Sequence, residues 1–211
     1  MKKALLLNDN IFMGNTYVVG DEKSAIVIDP ACEVSKIVKA LKKRQLVGVF
    51  LTHAHFDHFR TLRQLLEKFP EVKCYLHKLA YYKLDDPNKH HGLYYGGAAK
   101  NRFDPDRTQF IQDKDLLTLT DGFEVGVLET PGHTDCSVSL IIDDMLFSGD
   151  TLFKNTVGRS DLPTGDQFLL IKSVNRLLSL EGDFWVFPGH DETTTIEEER
   201  NGNPFAKISQ R

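Results

Sequence analysis

Six consecutive residues, His53-Ala54-His55-Phe56-Asp57-His58, carry three imidazoles and one carboxylate. Residues two apart in an extended segment point the same way, so His53 and His55 can converge on one ion. Asp57 and His58 stand where the chain turns into a helical pattern and can face a second point a few ångström away. Imidazole and carboxylate are the ligands favoured by zinc and similar ions, and a catalytic site leaves a position open for water. Three more residues of ligand type share one local context. Thr130-Pro131-Gly132-His133, Gly149-Asp150 and Pro188-Gly189-His190 each follow an apolar strand-like run and a glycine. A glycine permits a tight turn, and sites in α/β sheets gather at strand ends along one edge. Five of the eight histidines fall in these slots.

The elements that must position these residues are legible in the hydrophobic pattern. Thr16–Gly20 and Ala25–Ile28 read as strands, as does a first strand in the apolar run before Asn8. Val47–Leu51 and Val72–Leu76 are continuous apolar runs, as strands covered on both faces should be. Phe123–Leu128, Val138–Ile142, Met145–Ser148 and Phe184–Phe187 complete the strands. Helical spacing marks Glu33–Arg44, His58–Phe69, Asp166–Leu180 and a last helix over Glu192–Arg200. Mixed strands and helices give an α/β class, and the Asp143-Asp144 hairpin makes its sheets partly antiparallel. The stretch from Leu84 to Thr108, polar, aromatic and Gly-rich, reads as a long surface segment. Its Tyr94 and Tyr95 are candidates for a substrate groove. His90 and His91 read as solvated, and His77 as structural.

With 211 residues and no linker or repeat, residues 1–211 read as one domain. The net charge of −4 disfavours nucleic acid as a partner. No apolar run approaches the roughly 20 residues that span a bilayer, and the N-terminal run is too short for a signal sequence. Cys32, Cys74 and Cys136 form no C-x-x-C pair. A cytoplasmic enzyme acting on a small molecule, with no membrane partner, is the expectation.

The set His53-x-His55-x-Asp57-His58, His133, Asp150 and His190 resembles the metallo-β-lactamase superfamily over nearly the whole chain. The resemblance implies a four-layer αβ/βα sandwich with metals at one edge of two packed sheets. It implies two divalent ions, zinc first, with iron or manganese also suited. His53, His55 and His133 would hold one, Asp57, His58 and His190 the other, and Asp150 would bridge both. Within the superfamily, Gly149-Asp150-Thr151-Leu152-Phe153, Gly158-Arg159-Ser160-Asp161-Leu162-Pro163 and the tail Glu199–Phe205 are similar to the glyoxalase II-like group. Asp at 150 departs from the zinc β-lactamases that use Cys there, and His at 55 from the flavodiiron proteins. Full-length glyoxalase II also carries a C-terminal helical domain that helps bind glutathione, most of which this chain lacks.

The implied activity is hydrolysis of an anionic thioester of the S-acylglutathione type. Two cations about 3.5–4 Å apart lower the pKa of a shared water and polarise the carbonyl. Asp57 would accept a proton from the nucleophile and Asp150 would be equally essential. The thiolate leaves readily, and no Gly-x-Ser-x-Gly elbow is present. Arg159 reads as a fork for a substrate carboxylate or as an ion-pair partner of Asp161. Two rival activities share the motifs. One is a persulfide dioxygenase with a single iron on His53, His133 and Asp150; the other is hydrolysis of a lactone, a β-lactam, a phosphodiester or another ester.

Overall fold

The computed structural model of the chain describes residues 2–8, 14–95, 103–120 and 122–206. The first sheet runs β1 (Lys3–Leu7), β2 (Thr16–Gly20), β3 (Ser24–Ile28), β4 (Gln45–Phe50), β5 (Cys74–His77) and β6 (Thr108–Ile111) in spatial order. Its first three strands are antiparallel and the rest parallel. The helices of this half are α1 (Val34–Leu41), α2 (Phe56–Phe59), α3 (Leu62–Lys68) and α4 (Lys78–Lys83). The second half contains β7 (Leu116–Thr120), β8 (Phe123–Glu129), β9 (Val138–Ile142) and β10 (Met145–Gly149). The small hairpin β11 (Leu152–Phe153) and β12 (Thr156–Val157) follows, then α5 (Gln167–Leu178), β13 (Trp185–Pro188), β14 (Thr194–Thr195) and α6 (Ile196–Gly202). The second sheet has the order β14-β13-β10-β9-β8-β7, in which only β10 and β13 run parallel.

Period-two alternation sorts the side chains into layers. Tyr17, Val19, Ile26, Ile28 and Phe50 point from the first sheet toward Phe123, Val125, Leu140 and Phe147 of the second. Val18, Val27, Val49 and Leu51 point the other way, onto Ile37, Leu62, Leu65 and Leu66 of the helices. Leu146 and Val186 face Leu170, Val174 and Leu177 of α5. The result is the expected αβ/βα sandwich. Its central layer is fixed by aromatic contacts such as the edge-on Tyr17–Phe147 pair at 5.3 Å.

Three local expectations need correction. The helix expected over His58–Phe69 is two helices, because Thr61 turns its hydroxyl to the carbonyls of Pro30 and Cys32 and its N–H to Pro30. The last helix begins at Ile196, since Thr194 and Thr195 first pair with β13 as an edge strand. His90 is not solvated: it is fully buried, and its neighbour His91 is half-buried. Of the long segment, residues 96–102 and the Tyr95 side chain lie outside the described residues. No helix among the described residues is long and apolar enough to cross a membrane. No disulfide joins the three cysteines, all of which are buried.

Candidate metal centre

The seven sequence-selected ligand candidates meet at one edge of the two sheets. His53 and His55 follow β4, and Asp57 and His58 lie on α2. His133 follows β8, Asp150 follows β10, and His190 follows β13. All are buried except His190, which is partly exposed. Ligand-type atoms of His53, His55 and His133 cluster within 4.8 Å of one another, and so do those of Asp57, His58 and His190. Asp150 stands between the trios. Its Oδ2 is 3.4 Å from His133 Nε2 and 3.7 Å from His190 Nε2, and its Oδ1 is 3.4 Å from His58 Nε2.

Local turn chemistry brings them together. Gly132 and Gly149 adopt φ of +135° and +51°, a region that disfavours other residues. Gly189 is needed for space instead: a Cβ there would lie 2.1 Å from Asp150 Oδ1. The Pro188 carbonyl takes hydrogen bonds from the Tyr17 hydroxyl (2.7 Å) and the Asn15 amide (3.1 Å), which fixes the turn before His190. The Val138 N–H donates to the Thr52 carbonyl at 2.8 Å, tying the His53 loop to the other sheet. In the tail, Glu199 accepts from the Asn155 N–H (2.9 Å) and the Asn203 amide (2.8 Å), pinning the β11–β12 hairpin that carries Phe153 toward His190.

Hydrogen bonds behind the rings set the tautomers. Asp29 was not singled out by the sequence reading, yet it organises the centre. Its Oδ2 accepts from His58 Nδ1–H (2.9 Å) and from the Thr52 hydroxyl (2.6 Å), and its Oδ1 accepts from the Thr52 N–H (2.8 Å). With its proton spent on Asp29, Thr52 Oγ1 accepts from His53 Nδ1–H at 3.0 Å. His133 Nδ1–H donates to the Arg159 carbonyl at 2.7 Å. In each case the Nε2 atom is left facing the centre. Such outer hydrogen bonds are how proteins orient metal-binding imidazoles.

The residues fit a metal. His53 Nε2, His55 Nε2 and Asp150 Oδ1 are buried without a hydrogen-bond partner among the described residues, a costly state that coordination relieves. His55 Nδ1 and His133 Nε2 lie 2.9 Å apart, and His58 Nε2 and His190 Nε2 lie 3.2 Å apart. Burial holds His53 well below the usual histidine range and His55 down at about 3, so both rings are neutral, as ligation requires. Burial opposes ionisation of Asp150 and Asp57, but the neighbouring imidazoles, His58 first and His190 with it, together outweigh burial and hold both carboxyls below their usual range. His58 is pushed well above its usual value: burial opposes its charge, and the carboxylates of Asp150 and Asp57 outweigh that.

A pocket of about 370 Å³ opens over the cluster, lined by His55, Asp57, His91, Tyr94, His133, Asp150, Arg159 and Leu162. Arg159 forms the ion pair read from the sequence: its Nε and Nη2 each lie 2.7 Å from an Asp161 carboxylate oxygen. It lines the pocket all the same. Tyr94 lines the rim while 85% exposed. His77 caps α4, accepting the Leu79 N–H at 3.2 Å. Cys136 stays outside both trios, its thiol beside the Lys83 ammonium (3.7 Å) and the Thr134 hydroxyl (3.3 Å).

Residues 9–190 match the family model described as "Metallo-beta-lactamase superfamily". The chain is 35% identical to the hydroxyacylglutathione hydrolase GloC of Haemophilus influenzae, with 88% of each chain covered. Among solved structures it superimposes on the BLEG-1 B3 metallo-beta-lactamase with a TM-score of 0.85 and 34% identity, covering 98% of this chain and all of that one. On TTHA1623, solved in a di-iron-bound form, the TM-score is 0.81 at 31% identity, covering 95% and 99%.

Proposed function

Since the chain belongs to the metallo-beta-lactamase superfamily, we propose that it is a dinuclear metal-dependent thioesterase acting on an anionic thioester of the S-acylglutathione type. The observation that carries the reading is the complete pair of trios with Asp150 between them. His53, His55 and His133 would hold one ion, and Asp57, His58 and His190 the other, with Asp150 shared. Two such ions supply Lewis acidity toward a carbonyl and a hydroxide nucleophile at neutral pH.

The chain's own residues supply the rest. Asp57 reaches the pocket while its Oδ2 lies 3.2 Å from His190 Nε2, so it is held in place to take the proton that the attacking water gives up. Asp29, through Thr52 and His58, prevents the rings from turning. Arg159, with two nitrogens on Asp161, has Nη1 left to meet an anionic group at the pocket mouth. A thiolate leaving group needs little protonation, so the reaction requires no dedicated general acid. The GloC relative supports this substrate class, and the TTHA1623 neighbour, solved in a di-iron-bound form, supports iron in such a centre.

The mononuclear iron dioxygenase reading needs only His53, His133 and Asp150. The dinuclear hydrolase reading also gives the second trio, convergent and braced by Asp29, a role. The test is Asp150→Ala. Loss of thioester turnover together with loss of metal supports the assignment, whereas a variant that keeps both ions and activity overturns it.

A further inference from the structure

Lys83, the last residue of α4, is only 6% exposed and carries its ammonium into the protein. A buried charge is costly unless it is paired and hydrogen-bonded. Its partners come from two loops that meet at His133. Nζ donates to the Thr164 hydroxyl at 3.0 Å, meets the Asp135 carboxylate, and lies 3.7 Å from Cys136 Sγ. Asp135 and Cys136 belong to the turn that delivers His133. Thr164 belongs to a strap, residues 158–166, that is fastened to the same turn at both ends. Near its start the Arg159 carbonyl takes the His133 Nδ1–H at 2.7 Å, and at its end the Asp166 N–H donates to the Gly132 carbonyl at 2.8 Å. Between these points Thr164 stands at φ +70°, a conformation that a β-branched residue keeps only where its surroundings enforce it. Lys83 fastens this middle part of the strap to α4.

We propose that Lys83 is a positioning residue for the metal centre: by joining Thr164 to the His133 turn, it holds the Arg159 carbonyl on His133 Nδ1 and keeps Nε2 of that ring aimed at the first trio. This role presupposes the metal centre proposed above and is independent of the substrate. A main-chain carbonyl can fix a ring only as firmly as its own loop is fixed. The strap is outward-facing, with Arg159, Asp161 and Pro163 exposed, so its rigidity has to come from tethers such as the one to Lys83. The same tether concerns the pocket. The strap supplies Arg159 and Leu162 to the pocket lining, the turn supplies His133, and α4 leads into the segment that supplies His91 and Tyr94. One ammonium therefore ties together three stretches of chain that line one cavity.

The test removes the tether from either side. Lys83→Met deletes the ammonium and keeps an unbranched apolar stem, Thr164→Val deletes the hydroxyl and keeps the shape, and Thr164→Ser keeps the hydroxyl. Zinc affinity, read by competition with a chromophoric chelator, should fall about tenfold in Lys83→Met and in Thr164→Val, and stay near wild type in Thr164→Ser. The Lys83→Met/Thr164→Val double variant should fall no further than the single variants, because both remove one contact. A second readout needs no metal. With ring-labelled histidine, the His133 Nδ1–H, assigned by its loss in His133→Asn, should give a slowly exchanging proton signal in the wild type and Thr164→Ser. It should be lost to solvent exchange in Lys83→Met and Thr164→Val. A merely structural role would lower the melting temperature of the variants and leave the ring proton and the zinc affinity unchanged, and that result overturns the inference. If Lys83→Met does not fold, Thr164→Val against Thr164→Ser carries the test. If the wild type takes up no zinc, the metal-centre reading fails, and the ring-proton comparison alone decides for or against Lys83.

Discussion

Asp29 Oδ2 accepts the Nδ1–H of His58 at 2.9 Å, and through the Thr52 hydroxyl the same oxygen fixes the tautomer of His53. One buried carboxylate therefore orients an imidazole in each trio. Asp29→Asn replaces an acceptor with an amide donor against groups that all donate. We expect metal affinity to fall by about 10–100-fold, measured by competition with a chromophoric chelator, while circular dichroism shows the fold retained.

The metal-free centre holds protons that ions must displace. His58 sits well above its usual value and His190 is also raised; for each, burial opposes the shift and the neighbouring carboxylates Asp57 and Asp150 outweigh it. Stability gained from these protonated rings is full below pH about 6.5 and is lost as pH rises through their raised values. Metal uptake near neutral pH should therefore release protons, and apparent affinity should climb with pH up to those raised values and level off above them. Proton release followed with an indicator in weak buffer checks this; uptake with no proton released would contradict it.

Gly189 has no room for a methyl group against Asp150. Gly189→Ala should cut bound metal by half or more, read by plasma mass spectrometry. A full complement of ions in that variant would show that Asp150 can move aside without cost.

Asp161 occupies two nitrogens of Arg159, and the hydrogen bond from Arg159 holds its carboxyl down at about 2. Asp161→Asn should free the guanidinium and lower KM for anionic thioesters several-fold, with little change for neutral ones. Arg159→Ala should raise KM for the anionic class selectively. Equal effects on both classes would assign the pair a purely structural role.

Phe50 is fully buried between the sheets and stacks on Tyr75 at 4.5 Å, on the strand that delivers His53. Phe50→Ala should lower unfolding stability by about 3–5 kcal/mol, measured by urea denaturation.

The architecture was readable from the sequence where periodicity was strong, as in β2, β3, β4, β8, β9 and α5. The convergence of the seven ligand-type residues was readable as well, because each follows an apolar run at a turn. What stayed hidden depends on tertiary contacts. Asp29 ends a strand like the others, but only the packing of β3 beside β4 and α2 shows that it faces Thr52 and His58. His90 and His91 lie in a polar, Gly-rich stretch that reads as surface, whereas His90 is buried against Phe56 and Phe59 of α2 and His91 packs against His55. The edge strands β6, β7 and β14 are short and half-exposed, so alternation was too weak to mark them.

The most direct test of the dinuclear centre is metal stoichiometry, by plasma mass spectrometry, on protein purified without chelator, alongside turnover of a thioester panel. About two divalent ions per chain with thioester hydrolysis is the expected result. About one iron per chain, with oxygen consumed on a persulfide and no thioester cleaved, would contradict it.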